Sequence, residues 1–565
     1  MKAFAALYAA LDASTSVLDK VAALRAYFES ADPADAAWAV YFLAGGKPRQ
    51  TVPTALLRAT ACRESGLPDW LFEESYQAVG DLAETIAHVL PRPERDSALG
   101  LAAWMDQRLL PLRGQEPQAQ AAALAHWWRE LDAPGRFLLT KLIGGGFRVG
   151  VSRLLVQRAL AEAFGVDARL VAQRLMGYTD ARTPPTAQRF LALRDPTAPA
   201  EAGQPYPFFL AHALPDDGLP ISQRLGEPAA WQAEWKYDGI RAQLVRRGSG
   251  CWIWSRGEEL VTERFPEVVA AAAHLPPGTV LDGELLVWID GAPGPFQRLQ
   301  QRIGRKTLTK KLLAESPVAF VAYDLLESQG EDLRARPLHE RRARLQPLCE
   351  ACGLRLSPVL AGADWPALAA LRAQARERGV EGLMLKALDS SYGSGRSKSG
   401  GTWWKWKLEP LSVDCVLIYA QAGHGRRAGV YTDYTFAVWN RAPRDAVEAQ
   451  AVVEAMARRE PAQPGGLQLV PFAKAYSGLS DAEFAQVDRV IRAHTLEKFG
   501  PVRSVRPTLV FELGFEGVNR SPRHKSGIAV RFPRMLRIRQ DKPLHEADTL
   551  AQLQALLDGA ARGLA

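Results

Sequence analysis

The first third of the chain carries apolar residues at the three-to-four-residue spacing of amphipathic helices. Ser152 and Gly165 bound the clearest case, at an N-cap position and just past a helix end. The start, residues 3–11, favours the first helix of a folded domain over a secretory signal, because Asp12 interrupts its short apolar stretch. We therefore predict an all-α domain over residues 1–200, with helices over 16–29, 54–64, 73–89, 118–131 and 152–164.

After a proline-rich stretch, short alternating runs replace the helical pattern. Those before residue 410 are interspersed with helices and predict an α+β domain with antiparallel sheets over 206–410, with strands at 231–237, 240–247, 251–255, 279–288, 317–325 and 380–386. The many short runs after it favour a small all-β barrel over 411–565. That region has predicted strands at 412–420, 430–439, 508–516 and 528–538, and helices near 444–459 and 547–558.

The composition is typical of a soluble protein of several domains. A chain of 565 residues is too long for one hydrophobic core, and 47% hydrophobic with 23% charged residues exclude global disorder. No run approaches the roughly 18 apolar residues of a membrane-spanning helix. The five cysteines include one C-x-x-C at 349–352 but no second pair at zinc-site spacing, which favours reduced thiols. We expect a cytoplasmic monomer with no membrane partner.

The charge distribution favours a polyanionic partner. The net charge is only +8, from 70 basic and 62 acidic residues. Between Arg503 and Lys542, however, ten Lys or Arg stand against three Asp or Glu. A local excess of this kind is typical of contact with phosphates.

Lys236 lies in the hexapeptide KYDGIR, between two predicted strands. The Asp-Gly pair is typical of a tight turn, which would hold the amine rigidly and place Arg241 on the return strand. A deprotonated lysine amine is a nucleophile. The pattern K-x-D-G-x-R resembles the signature of covalent nucleotidyltransferases, namely ATP-dependent DNA ligases, RNA ligases and mRNA capping enzymes. Taken alone, these six residues could also form an ordinary hairpin, although the functional interpretation is favoured.

Further motifs follow the hexapeptide in a fixed order. They are SRGE (255–258), LDGEL (281–285), FVAYDLL (320–326), VEGLMLK (380–386), WWKWK (403–407) and RFPRMLRIRQDK (531–542). Their order and spacing closely resemble the collinear motifs of ATP-dependent DNA ligases over nearly the whole chain. The likeness is to bacterial ligases of three-domain build. The NAD-dependent type would be expected to carry a zinc site and an NMN-recognising domain, and neither signature is present.

This resemblance implies three domains: a helical DNA-binding domain, a nucleotidyltransferase domain of the ATP-grasp-like ligase fold, and an OB-fold domain. The glycine-rich stretch 144–152 looks like the loop-and-helix element of the family's helical domain. Glycines let backbone amides approach a phosphate closely, so Arg148 and Arg153 are the expected DNA-binding residues. From the residues alone, a flexible connection between helices is the alternative.

The resemblance also implies a role for each motif residue, and the chemistry of the residue types agrees. Lys236 would form a covalent lysyl–AMP. Glu284 and Glu381 offer hard oxygen ligands for Mg²⁺, with Glu284 also near the nucleotide. Tyr323 would stack on adenine, and Glu234 would accept a hydrogen bond from its exocyclic amine. The other expected nucleotide or phosphate contacts are Lys405 and Lys407 at the phosphates, Arg241 and Arg256 at the ribose or nick phosphate, Arg396 at AMP, and Arg531, Arg534 and Lys542 at the departing pyrophosphate.

Less specific interpretations exist for several of these residues. Glu284 and Glu381 could be structural ion-pair partners, and Tyr323 could be an ordinary residue of the hydrophobic core. The basic strand at 531–542 could be a solvated face.

The expected function is ATP-dependent sealing of 5′-phosphate/3′-hydroxyl nicks in duplex DNA through lysyl–AMP on Lys236. An RNA ligase or a capping-type guanylyltransferase is the alternative enzyme, disfavoured by the helical front region and the full terminal motif. A non-catalytic DNA-binding scaffold is the alternative from another class. Such a scaffold should have lost an essential residue, and Lys236, Glu284, Glu381 and the 405/407 lysine pair are all present.

Overall fold

The computed structural model describes residues 1–48, 50–95, 97–144, 147, 149–180, 183–197, 202–305, 307–396, 401–423, 429–463 and 465–562. The chain divides into two compact units. One comprises Met1–Ser65 and Leu90–Leu408, and the other comprises Gly66–Val89 and Glu409–Ala565. The three domain ranges expected from the sequence stay a prediction.

The predicted helical character of the N-terminal region is confirmed. Ser152 accepts a hydrogen bond from the Leu155 amide, and Gly165 ends the helix in the left-handed conformation, as its position predicts. The helices of this region are α1 (Lys2–Ala13), α2 (Val17–Ser30), α3 (Pro33–Leu43), α4 (Thr54–Ser65), α5 (Asp69–Val79), α6 (Leu82–Val89), α7 (Leu101–Ala103), α8 (Pro117–Trp128), α9 (Ala133–Gly144), α10 (Arg153–Phe164), α11 (Ala168–Arg174) and α12 (Ala187–Arg194).

One helical prediction is wrong, and several helices, α3 among them, were not predicted from the apolar spacing. The single helix over 73–89 is wrong, because Gly80 adopts φ 73° and ends α5 before α6 begins. The pattern analysis missed α3, whose residues from Ala36 to Leu43 are all buried. A helix that is apolar on every side carries no amphipathic period.

The remainder of the first unit alternates strands and helices. Its strands are β1 (His212–Ala213), β2 (Trp231–Tyr237), β3 (Ile240–Arg247), β4 (Gly250–Ser255), β5 (Thr279–Ile289), β6 (Ala292–Pro293), β7 (Val318–Ser328), β8 (Glu331–Asp332), β9 (Arg355–Leu356), β10 (Val380–Ala387) and β11 (Trp403–Lys407). Its helices are α13 (Ile221–Leu225), α14 (Pro266–Ala272), α15 (Phe296–Gly304), α16 (Lys310–Glu315), α17 (Leu338–Cys352) and α18 (Trp365–Ala373). The six predicted strands are confirmed, with bounds within three residues.

Two sheets carry the chemistry-bearing strands. The smaller has the order β1-β11-β10-β2, and the larger has the order β4-β3-β5-β7-β8, with β6 beside β5 and β9 beside β7. All pairs are antiparallel except β1–β11 and β7–β9. In β2, Ala233, Trp235 and Tyr237 enter the core. The alternate residues, Glu234 and Lys236 among them, therefore share the opposite face.

A bulge in β10 places Glu381 on that same face. Val380 pairs with Tyr237 and Leu383 pairs with Trp235, so β10 holds one extra residue between these two pairs. In a regular strand Glu381 would share the face of Leu383, which lies in the core. The extra residue redirects the carboxylate, as bulges commonly do beside functional sites.

The second unit is β-rich and contains helices. Its strands are β12 (Leu411–Ala422), β13 (Tyr431–Trp439), β14 (Leu469–Ala475), β15 (Thr495–Phe499), β16 (Val502–Val505), β17 (Val510–Phe515), β18 (Gly517–Arg520), β19 (Ile528–Arg531) and β20 (Arg534–Ile538). Besides α5 and α6, its helices are α19 (Ala446–Ala457), α20 (Asp481–Ala493) and α21 (Leu550–Arg562). The long strand β12 pairs with β13, β16 and β17, and β17 pairs with β20.

The predicted single strand over 528–538 is wrong. Phe532 adopts φ 52° and Pro533 follows it, so the chain turns between β19 and β20. Helix α20 and strands β14, β15, β16 and β18 were not predicted from the sequence either. No helix among the residues described here is both long and apolar enough to cross a membrane.

We predict that Gly382→Ala destabilises the first unit by about 1–3 kcal/mol of unfolding free energy. Gly382 adopts φ 136°, and an added Cβ would clash with the carbonyl oxygen of Trp406. Urea unfolding followed by tryptophan fluorescence measures the change. The control is Gly304→Ala, because a Cβ there meets nothing within 4 Å and the expected change is within about 0.5 kcal/mol. Equal unfolding midpoints for the two variants would contradict the bulge argument.

Candidate active site

A cavity of about 710 Å³ in the first unit gathers most of the residues selected from the sequence. Its walls come from the N-terminal helices and from both sheets. The predicted residues among its lining are Arg153, Glu234, Lys236, Arg241, Arg256, Glu284, Tyr323, Arg396 and Lys405. Glu381 joins this set through its ion pair with Lys236, and Lys407 joins it through its ion pair with Glu381.

The Lys236 amine lies at the end of β2, just before the tight turn to β3. Gly239 makes this turn possible, because an added Cβ would lie 2.5 Å from the carbonyl oxygen of Leu285. Lys236 Nζ donates a hydrogen bond to Glu381 Oε2. Lys407 Nζ lies 3.3 Å from the same oxygen. The predicted nucleophile is thus held in place by a carboxylate that it shares with a second lysine.

The two carboxylates predicted to bind Mg²⁺ have different electrostatic environments. Burial opposes ionisation of Glu381, but Lys236 and Lys407 outweigh it and hold the pKa of this carboxyl below its ordinary value. Burial raises the pKa of Glu284 to about 8, although Lys236 and Arg241 act in the opposite direction. Both groups offer hard oxygen donors beside the nucleophile, and Glu284 favours its neutral form until a cation approaches. The residues present therefore fit a Mg²⁺ ion.

One side of the cavity is a cluster of cations. The pKa of Lys405 is lowered by burial and then by the positive charges of Lys236, Lys407, Arg396 and Arg256. The Arg256 amide donates to the carbonyl oxygen of Arg241 at 2.9 Å, which fixes the turn that carries its exposed side chain. Like charges gathered in this way need a polyanion for compensation, and a polyphosphate supplies one.

Arg241 is committed to protein partners. Its guanidinium donates two hydrogen bonds to Asp282, at 2.7 and 3.2 Å, and one to the carbonyl oxygen of Phe209 at 2.6 Å. The Tyr392 hydroxyl donates to the same Asp282 carboxylate at 2.7 Å. The sequence analysis missed Asp282, although it lies in the quoted LDGEL motif two residues before Glu284. The role of Arg241 at the ribose or nick phosphate stays a prediction.

Glu234, another residue of the cavity lining, is almost completely buried. Its Oε1 accepts from Gln232 Nε2 at 2.5 Å and from Lys386 Nζ at 2.9 Å. The Lys386 ammonium also lies 4.2 Å from the centroid of the Tyr323 ring. The sequence analysis missed Lys386, and the available signal was a lysine that ends the otherwise apolar run GLML.

The N-terminal helices contribute part of the cavity wall. Arg153, the first residue of α10, forms an ion pair with Glu258 of the turn after β4. Val149, a described residue just before α10, accepts a hydrogen bond from Lys20 Nζ at its carbonyl oxygen, at 2.7 Å. Arg148 lies outside the described residues. DNA binding by Arg153 stays a prediction.

The terminal basic residues belong to the second unit. Lys542 Nζ donates to Asp414 Oδ2 at 2.7 Å, and Asp414 is a buried residue of β12. Arg534 is exposed on β20, and the Arg531 guanidinium lies 5.1 Å from the centroid of the Phe532 ring. Lys542 therefore has a structural partner that the sequence analysis did not foresee.

Comparison with known proteins identifies the family of this chain. Residues 214–407 match the ATP dependent DNA ligase domain, and residues 1–161 match the DNA ligase N terminus. A probable DNA ligase of Koribacter versatilis is 33% identical over 580 residues, covering 97% of this chain and 95% of that protein. A DNA ligase of Methanoculleus marisnigri is 30% identical over 496 residues, or 85% of this chain and 83% of that protein.

A likeness in fold extends over most of the molecule. A solved structure named Pmar-Lig_PreS3 covers 95% of this chain and 99% of its own, with a TM-score of 0.59 at 15% identity. The match to the ATP dependent DNA ligase domain spans Lys236, Glu381 and the lysine pair of β11. On this evidence the chain belongs to the family of ATP-dependent DNA ligases.

Proposed function

We propose that this ligase seals nicks in duplex DNA through a covalent lysyl–AMP on Lys236. The observation that carries the proposal is the position of the Lys236 amine, which is bound by Glu381 and faces a cavity lined by Arg256, Arg396 and Lys405. An amine nucleophile, a set of phosphate cations and carboxylates for a divalent metal are what cleavage of an α–β phosphoanhydride requires.

In the first transfer, the Lys236 amine attacks the α-phosphorus of ATP. A P–N bond forms, the bond to the pyrophosphate oxygen breaks, and the Glu381 oxygen is the nearest acceptor for the amine proton. Lys405 and Lys407 stabilise the charge that develops on the α-phosphate. Glu284 and Glu381 would hold Mg²⁺, which supplies further positive charge at the phosphates.

The second and third transfers use the same cavity. The 5′-phosphate oxygen at the nick displaces Lys236, so that AMP moves to the DNA. The 3′-hydroxyl then attacks the 5′-phosphorus, the phosphodiester bond forms and AMP leaves. Arg241 and Arg256 are proposed to steady the ribose or the nick phosphate, and Arg396 is proposed to contact AMP.

We propose three domains, with boundaries at 1–200, 206–410 and 411–565. The first is a helical DNA-binding domain in which Arg148 and Arg153 contact phosphates, the second has the ATP-grasp-like ligase fold, and the third is an OB-fold barrel. The antiparallel pairing of β12 with three strands, β13, β16 and β17, supports a closed, barrel-like sheet in the third. We further propose a cytoplasmic monomer, and the five free thiols agree with a reducing compartment.

Lys236→Ala is expected to abolish covalent labelling by radioactive ATP, because no other group would carry AMP. The matched control is Lys311→Ala, whose side chain is 81% exposed, and it should label like the unmodified protein. Labelling is read on a denaturing gel after incubation with Mg²⁺. Acid-labile AMP that persists on Lys236→Ala would show that another residue is the nucleophile.

ATP is expected to label the protein far better than GTP. Glu234 would accept a hydrogen bond from the adenine amine, whereas guanine presents a carbonyl oxygen at that position and leaves the buried carboxylate unpaired. Initial labelling rates at matched nucleotide concentrations measure the preference. Equal rates would favour a capping-type site.

Arg531→Ala/Arg534→Ala is expected to slow lysyl–AMP formation by on the order of 10²–10³. The reason is that these cations would orient the pyrophosphate, which leaves only in the first transfer. The double variant should still seal a nick that is supplied already adenylylated, at a substantial fraction of the normal rate. The exposed Arg523 of the same unit provides the control, as Arg523→Ala. Equal loss of both reactions would place the two arginines in the later chemistry.

The predicted third member of this set, Lys542, is tested separately. Because its ammonium binds Asp414, we expect Lys542→Ala to lower the urea midpoint of the second unit, unlike the Arg531→Ala/Arg534→Ala variant. An unchanged urea midpoint for Lys542→Ala would show that the contact with Asp414 does not stabilise the unit, and would favour the predicted role of Lys542 at the pyrophosphate.

A further inference from the structure

A buried lysine lies beside Glu234 in the lining of the cavity. The Lys386 residue is only 1% exposed, and its side chain and that of Glu234 are each 2% exposed. Burying a charge is costly unless a partner compensates it, so lysine is rarely found in such a place without one. The partner is Glu234, whose Oε1 lies 2.9 Å from Lys386 Nζ.

Two aromatic rings complete the surroundings of the ammonium. Lys386 Nζ lies 4.2 Å from the ring centroid of Tyr323 and 4.6 Å from that of Trp403. Both rings line the cavity and both positions are almost completely buried. Cation–π contacts of this kind attract the ammonium toward the ring faces, so the amine is fixed by three protein groups.

The two oxygens of Glu234 have different environments. Oε1 accepts from Lys386 and from Gln232 Nε2, the latter at 2.5 Å. Among the residues that the structure describes, none donates a hydrogen bond to Oε2, while Glu234 itself lines the cavity. The protein therefore holds one oxygen and leaves the other for a ligand.

We propose that Lys386 is a positioning residue that sets the nucleobase specificity of the ligase by keeping Glu234 an ionised, correctly oriented acceptor. This inference rests on the proposed contact between Glu234 and adenine. An ionised carboxylate only accepts hydrogen bonds, so it binds a base with an amino group at the 6 position and rejects one with a carbonyl.

Without the cation, the same carboxyl would act differently. A carboxylate this deeply buried takes up a proton when its compensating charge is removed, and the resulting hydroxyl can donate to a carbonyl oxygen. The site would then accept a 6-oxo base almost as well as a 6-amino base. Lys386 thus acts through Glu234 and does not itself contact the reacting phosphorus.

The test compares ATP with inosine triphosphate, which replaces the 6-amino group with a carbonyl. The readout is the ratio of kcat/KM values for self-labelling with the two nucleotides. We expect Lys386→Met to lower this ratio at least roughly tenfold, since a hydrogen-bonding site discriminates by more than that. Lys386→Arg, which keeps the cation, should retain the preference for ATP.

A double-mutant cycle separates positioning from a general structural effect. In the Glu234→Gln background, whose ratio should already be low, Lys386→Met should lower it no further. The control is Arg341→Met, which breaks the fully buried pair of Arg341 with Asp324 in the same unit. That variant should lower stability and leave the ratio unchanged.

The outcomes separate the role of Lys386 from the proposed contact of Glu234 with adenine, on which that role depends. If the unmodified protein shows no preference, or if Glu234→Gln keeps it, the adenine contact of Glu234 is wrong. If Glu234→Gln loses the preference and a folded Lys386→Met keeps it, the role of Lys386 is overturned. Should Lys386→Met not fold, loss of the preference in folded Lys386→Arg would overturn it equally.

Discussion

The ion cluster of Lys236, Glu381 and Lys407 is the interaction on which the site depends. A lysine side chain near the end of a strand can adopt many rotamers. The hydrogen bond to the shared carboxylate oxygen selects one of them for Lys236. That oxygen reaches the amine only because β10 carries an extra residue, and the extra residue is tolerated only because Gly382 lacks a side chain. The geometry of the nucleophile thus follows from a backbone irregularity on the neighbouring strand.

Much of this arrangement could be predicted from the sequence, and the physical reason is periodicity. Strand alternation places Glu234 and Lys236 on one face, and the strand bounds of β2 and β3 were predicted to the residue. The same rule would have placed Glu381 on the wrong face, because one inserted residue reverses the alternation. Glu381 was selected only because the whole set of motifs resembles that of ATP-dependent DNA ligases. The pattern of the strand itself gave no geometric reason to select it.

What the sequence could not supply were the partners of buried charges. Asp282 and Lys386 both stand within quoted motifs, yet nothing in their spacing shows that one binds Arg241 and the other binds Glu234. Such pairs join residues separated by 41 and 152 positions. Lys542 provides the reverse case, since a residue selected for phosphate contact is held by Asp414. Composition and local sequence pattern cannot distinguish a cation that is available to bind a ligand from one that is already paired with a carboxylate of the protein.

The wall that α10 contributes to the cavity has a consequence for the lifetime of the activated enzyme. Water can hydrolyse a phosphoramidate bond. A ligase that carries AMP on its lysine must therefore protect that bond until the enzyme meets a nick. Arg153, paired with Glu258 across this wall, holds a helix of the N-terminal region beside Lys236. In the mechanism proposed above, this helix would therefore also shield the lysyl–AMP from water, so that less ATP is consumed between successive nicks.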